Sequence, residues 1–401
     1  MENIITASKF NGRCNKMKIK RKALIVTTVA STIDQFCMND INILLEDYDI
    51  QVAANFTSGN NTSIERIKEF KYELKMKNIT INEIGFDRNP LSKKNLIAFK
   101  ELKELIYHGN YELVHCHTPI AAMFTRLVAK KLRNKGTKII YTAHGFHFHK
   151  GAPLKNWLVY YPIERWLARY TDLLITINNE DYARAKKKIK AKMVEYIPGV
   201  GIDTNKFKSV VVDKKAKRNE IGVPQDAFIV LSVGELNKNK NHEIVIRAIA
   251  KINNPNIYYV ICGQGELEKY LKNLSEKLGI QERVKLLGFR KDIAEICKSS
   301  DMFAFPSFRE GLGLAALEAM ACGLPIITSN VHGIVDYSSD GKTGYTCSPT
   351  DLDNHTQVIS KMFEDKELRK IISEYNMNIV SKFDVCNVMK HMREIYNKFI
   401  N

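Results

Sequence analysis

The run "MFAFPSFREGLGLAALEAMACG", Met302 to Gly323, passes from an apolar strand-like segment to an alanine-rich helical one, with Glu310, Gly311 and Gly313 at the change. An apolar run closed by a turn and followed by a helical period is a βα unit. In open sheets built from such units, ligands sit beyond the carboxyl ends of the strands. The loop around Glu310 is therefore the first place to look for chemistry.

Outward from this loop the same alternation repeats. "KALIVTTVA", "DIQVAA", "ITINEIG", "LVHCH", "KIIYTAHG", "DLLITIN" and "VEYIPG" precede longer amphipathic segments in the first half, and "FIVLSVGEL", "IYYVICGQG", "VKLLGF", "PIITSN" and "GYTCSP" do so around the opening stretch. The fold class is α/β, with two Rossmann-like, doubly wound parallel-sheet domains facing each other across a cleft. The expected division is a basic N-terminal extension at 1–20, a first domain at 21–205, a second at 206–380, and a C-terminal helix at 381–401 that packs back on the first. The polar, Pro/Gly-bounded segment 201–227 reads as a linker.

Composition narrows the classes. The chain has 401 residues with 45% hydrophobic and 26% charged, as a globular protein of two domains has. Eight cysteines form no C-x-x-C pair, which suits a reducing cytoplasm. The stretch "KMKIKRKALIVTTVASTI" imitates a signal peptide, but its β-branched residues read as a first buried strand. The net charge of +17 is concentrated in residues 1–200, where 33 lysines and arginines face 19 acidic residues. That excess suits an anionic membrane surface or a phosphorylated acceptor. Basic and aromatic residues are not interleaved as a stacking platform requires, so nucleic acid is not expected as a partner.

The candidate residues follow the strand ends. Gly311 and Gly313 let backbone N–H groups approach an oxyanion at the helix start. Glu318 lies about two turns on and projects only ~80° around from Glu310, so both carboxylates address one elongated ligand. "ELNKNKN" after Gly234 sets Lys238 and Lys240 ahead of a helix, either a phosphate site or an ordinary basic turn. "CGQGEL" offers Gly263 and Gly265, which tight-turn chemistry explains as well as ligand approach does. Carboxylates accept hydrogen bonds from hydroxyls while lysine and N–H groups hold anions, and a nucleotide sugar meets both demands. Among the histidines, His115 and His117 share a face of "LVHCH", and "AHGFHFH" supplies His144, His147 and His149. No metal-ligand spacing is present, so no metal is expected; His144, followed by Gly145, is the first candidate for a catalytic or substrate-orienting group. "DLDN" at 351–354 reads as a helix N-cap.

Together these residues resemble the family 4 retaining glycosyltransferases of the GT-B fold, in the branch that builds bacterial capsular and exopolysaccharides. The resemblance rests on "FREGLGLAALEAMACGLPIITSN" as the family's E-x7-E motif, with "VGELNKNK", "GQGEL", "LLGF", "YIPGVGID" and "TAHGFHFHKGAP" in support, and it covers the chain after about residue 20. It implies that Glu310 contacts donor-sugar hydroxyls and Glu318 the ribose, that the backbone from Gly311 through Leu312 to Gly313 meets sugar and diphosphate, and that Lys240 neutralises the diphosphate. By the same resemblance Phe289 and Arg290 border the base, and His144 approaches the sugar from the first domain. Gly234, Lys238, Gly263 and Gly265 complete the donor site. Asp34, His117 and His147 are the acceptor contacts.

Two positions depart from the pattern. The usual G-R-L is Gly234-Glu235-Leu236, leaving Lys238 to replace the arginine, and "TTVASTIDQF" stands where a glycine pair follows the first strand. The activity implied is retaining transfer of a hexose or N-acetylhexosamine from a UDP-sugar to a lipid-diphosphate-linked saccharide, without cofactor. The enzyme would be cytoplasmic and peripheral at the inner face of the membrane. The rival readings are a twin-Rossmann NAD(P)-dependent oxidoreductase, favoured by the formal G-x-G-x-x-A of "GLGLAA", and a basic nucleic-acid binder.

Overall fold

The computed structural model describes residues 21–400, so the basic extension at 1–20 lies outside the described residues. The first sheet is all parallel: β1 (Arg21–Val29), β2 (Tyr48–Asn55), β3 (Thr80–Glu83), β4 (Leu113–His117), β5 (Lys138–Ala143), β6 (Leu173–Thr176) and β7 (Met193–Tyr196), in the order β3-β2-β1-β4-β5-β6-β7. The second is also parallel: β8 (Phe228–Val233), β9 (Ile257–Cys262), β10 (Val284–Leu286), β11 (Met302–Phe305), β12 (Ile326–Ser329) and β13 (Gly344–Cys347), in the order β10-β9-β8-β11-β12-β13. Each strand named from the sequence is present. The described strand within the stretch that imitates a signal peptide is β1, a central strand buried from Ala23 to Val29 because helices cover both faces of a parallel sheet.

In each sheet the strand order reverses once, between β1 and β4 and between β8 and β11. These switch points are where α/β sheets open a crevice. Both lie at carboxyl ends that line the space between the two sheets.

The expected linker at 201–227 is structured instead. It forms helices Thr204–Ser209 and Lys214–Glu220, with Asp203 and Asp213 accepting from the N–H groups of Lys206 and Ala216. Buried Phe207 and Arg218 tie it down, the latter donating to the carbonyls of Ser299 and Ala227. The aspartate caps were legible, but the buried anchors were hidden by the surrounding charge.

Asp351 caps the helix Leu352–Glu364 through the Asn354 N–H, as read from the sequence. The last helix, Val385–Ile400, returns to the first domain. It buries Val388, Met392, Ile395 and Tyr396, joins Tyr396 to His115 at 2.9 Å, and pairs Arg393 with Glu46. Among the described residues no helix is long and apolar enough to cross a membrane.

Candidate active site

At the second switch point, the segment after β11 and the turn after β8 meet. The Lys240 ammonium lies 2.6 Å from Glu310 Oε1 and 4.9 Å above the Phe305 ring. The turn is locked to the loop by Asn239, which accepts from the Phe308 N–H and donates to the Arg309 carbonyl. The helix Leu314–Ala321 then starts at Gly313, whose φ of +97° puts it in the left-handed region, and no side chain caps it. First-turn N–H groups without a cap, beside a lysine, favour an anion.

The first domain closes the site from above. A cavity of about 270 Å³ is lined by Phe36 and His144 on that side and by Lys240, Glu310, Gly311 and Gly313 on the other. A Cβ on Gly311 would lie 1.9 Å from the His144 carbonyl oxygen, and one on Gly145 only 3.0 Å from the Gly311 Cα. Gly311 thus serves the approach of the two domains, beyond the clearance for a ligand inferred from sequence. Leu312, which also lines the cavity, is buried with its side chain close against Gly199.

His144, half-buried at the cavity wall, heads a row whose other members, His117 and His115, are fully buried. Its Nε2 is 3.0 Å from His117 Nδ1, and His117 Nε2 is 4.0 Å from Asp40 Oδ2. His115, whose ring centre lies 4.2 Å from that of His117 at a tilt of 32°, bonds Tyr396 through Nδ1 and Thr142 through Nε2. Burial holds His144 down to about 4 and His115 to about 3, and pushes the Asp40 carboxyl up to about 8. The row is therefore uncharged at neutral pH, and His144 meets a ligand as a neutral hydrogen-bonding group. Asp40, His115 and His117 offer ligand atoms within 4.8 Å of one another. A metal there would have to break one of the two bonds that His115 makes.

The remaining sequence candidates divide. Glu318 lies in the helix Leu314–Ala321 and does not line the 270 Å³ cavity, its carboxyl pushed up to about 7 by burial against the lowering influence of Lys206. Lys238 lines a different cavity, of about 590 Å³, with Asn241 and Phe308, and not the one that Lys240 lines. Gly263 and Gly265 are packing glycines, for a Cβ on either would strike the carbonyl oxygen of Gly234 or of Leu236. Phe289 is exposed, and Arg290 is held by Asp292 and Glu220; neither lines the 270 Å³ cavity.

Two of the acceptor candidates are engaged within the first domain. Asp34 is gripped by both Nε and Nη2 of Arg66 at 2.9 and 2.6 Å, and His117 is fully buried. His147 borders an opening, its ring 4.6 Å from that of Tyr160 and tilted to it by 31°.

Three residues escaped the sequence reading. Asn178 Nδ2 donates to the Gly311 carbonyl at 3.0 Å, Asp181 accepts from the Asn178 amide and the Phe146 N–H, and His332 bonds Asp181 at 3.1 Å. They hold the glutamate loop against the first domain. Asn178 and Asp181 carried one signal, the N-x-x-D cap just after "LLITI".

Comparison with known proteins decides the family. The model for "Glycosyl transferases group 1" matches residues 213–378, and that for "Glycosyl transferase 4-like" matches residues 29–178. EpsD of Bacillus subtilis, a protein named as a glycosyltransferase, is 37% identical over 322 residues, covering 79% of this chain and 84% of its own. The chain is a family 4, group 1 glycosyltransferase. The Escherichia coli UDP-Gal:α-D-GlcNAc-diphosphoundecaprenol α-1,3-galactosyltransferase is 30% identical over 321 residues, 77% of this glycosyltransferase and 82% of the relative. The solved structure of Anabaena Alr3699/HepE in complex with UDP superposes with a TM-score of 0.76 at 22% identity, over 94% of this chain and 100% of that one. WaaG, of lipopolysaccharide biosynthesis, gives 0.70 at 16% identity, over 93% and 99%. These neighbours establish the GT-B fold, and the family is one that transfers glycosyl groups with retained configuration. Membership removes the oxidoreductase reading of "GLGLAA", which follows the fourth strand of its sheet in sequence and not the first.

Proposed function

We propose that this glycosyltransferase moves a hexose or N-acetylhexosamine from a UDP-sugar to a lipid-diphosphate-linked saccharide, in capsular or exopolysaccharide synthesis, without a metal. The observation that carries this is the Lys240–Glu310 pair at the foot of the cleft, beside an uncapped helix start and under a neutral His144. An arriving diphosphate competes for Lys240 and frees Glu310 to accept from sugar hydroxyls, while N–H groups at Gly311 to Gly313 take phosphate oxygens. Glu318 accepts from the ribose. As the glycosidic bond to the diphosphate breaks, the growing charge falls on Lys240 and the helix start, already in place. UDP is the nucleotide in the Anabaena complex, and a diphosphoundecaprenol-linked sugar is the acceptor of the E. coli relative.

The inner membrane face suits the same acceptor. The helix Leu154–Leu167 leaves Leu154, Leu158, Val159, Ile163 and Trp166 exposed, with Lys155, Arg165 and Arg169 exposed around them. Apolar side chains ringed by cations on one helix suit the interface of an anionic bilayer. Thermal-shift screening with UDP-, GDP- and ADP-sugars tests the donor, with the largest stabilisation expected from UDP compounds. Glu310→Ala should lower transfer by about 10²-fold or more with UDP binding retained; full activity in that variant would refute the site.

A further inference from the structure

The donor cavity fills one switch point, and the other has a cavity of its own. Where β1 and β4 diverge, an open cavity of about 290 Å³ is lined by Thr28, Arg88, Pro90, Thr118, His147 and Tyr160. The four segments that meet there follow β1, β3, β4 and β5, as expected of a ligand crevice in an α/β sheet. Thr118 sits at φ +63°, a conformation that a β-branched residue adopts only under constraint from its surroundings. Its hydroxyl already bonds the His117 carbonyl and the Thr28 N–H, and the Thr28 hydroxyl lies 2.7 Å from it. The threonines are engaged with each other and the backbone, which leaves Arg88 as the group with donors to offer.

Arg88 makes one protein hydrogen bond, Nη1 to Asn61 at 2.7 Å, and among the described residues no carboxylate pairs with it at contact distance. Glu235, the residue that stands where the family has arginine, acts on it across the cleft. Arg309 adds a second positive charge near His147. A guanidinium with most of its five N–H groups unused, beside a histidine and a tyrosine ring, is the chemistry of a phosphate attached to a sugar. On one side of the cavity Pro90 leads to Leu91, which is 90% exposed, and to exposed Leu96 and Ile97 on the helix Lys94–His108. On the other, Tyr160 belongs to the exposed apolar face of Leu154–Leu167.

We propose that this cavity is the acceptor's diphosphate subsite, with Arg88 as its cation, and that the prenyl chain of a lipid-linked saccharide leaves it over the exposed apolar side chains of these two helices. The assignment rests on the transferase reading and replaces Asp34 and His117 as acceptor contacts.

The test is isothermal titration of the full chain saturated with UDP, so that the donor site is filled, using farnesyl diphosphate, inorganic pyrophosphate and farnesol as probes. Farnesyl diphosphate should bind at least about tenfold more tightly than either half alone, and Arg88→Ala should weaken it by about tenfold or more, Arg88→Lys by less, with UDP affinity unchanged in both. Equal farnesyl diphosphate affinity in wild type and Arg88→Ala overturns the assignment. So does pyrophosphate binding as tight as the prenyl compound, which would make this a free-phosphate site, or a parallel loss of UDP affinity, which would place Arg88 in the donor site. A wild-type chain that does not bind UDP overturns instead the UDP-donor reading on which this assignment rests.

Discussion

Asp40 stands at the end of the imidazole row with its carboxyl raised to about 8 by burial. A carboxyl raised on folding binds a proton that the unfolded chain has released, so its share of stability is present at low pH and lost as pH climbs from about 4 to about 8. His144 and His115 act in the opposite sense. Held down to about 4 and 3, they stay neutral while the unfolded chain takes up protons, so stability falls as pH drops below about 6.5. Asp40→Asn should therefore be more stable than wild type at pH 9 and similar to it at pH 5, by urea unfolding at the two pH values. An equal effect at both would mean that packing, not titration, governs the site.

The helix Leu154–Leu167 presents most of its apolar side chains outward, so it needs an anchor that is not a hydrophobic stripe. Besides Leu167, Trp157 and Tyr161, which pack inward, the anchor is the ion pair between Glu164 and fully buried Arg126, whose guanidinium also lies 4.3 Å above the Tyr141 ring. Removing one partner of a buried pair leaves an uncompensated charge. Glu164→Ala is expected to destabilise by about 3–5 kcal/mol in denaturant unfolding, well beyond the ~1 kcal/mol of an exposed pair. A larger loss of membrane or acceptor binding than of UDP binding in the same variant would mark the helix as the acceptor-side element.

Across the whole molecule the two domains touch through backbone at the glutamate loop and through side chains elsewhere. The Gly311 carbonyl receives Asn178, the Gly311 Cα faces the His144 carbonyl, and the last helix ties the second domain back to His115. Gly311→Ala puts a methyl 1.9 Å from that carbonyl oxygen, so the domains must separate. Small-angle scattering should give a larger radius and transfer should fall by about tenfold or more, since misplacing reacting groups by an ångström is enough; an unchanged radius with full activity would show that the contact is dispensable. The strands, their parallel order and the Glu310–Glu318 loop could be read from the sequence because apolar runs, turns and helical periods are local signals. The family resemblance, too, rests on contiguous motifs. What the sequence could not determine is which distant side chains answer one another. Arg66 takes Asp34, Arg88 faces the cleft, Lys238 and Lys240 part into different cavities, and a glycine that looked made for a ligand receives a carbonyl from the other domain. Such pairings depend on packing between segments far apart in the chain, and only the folded structure brings those segments together.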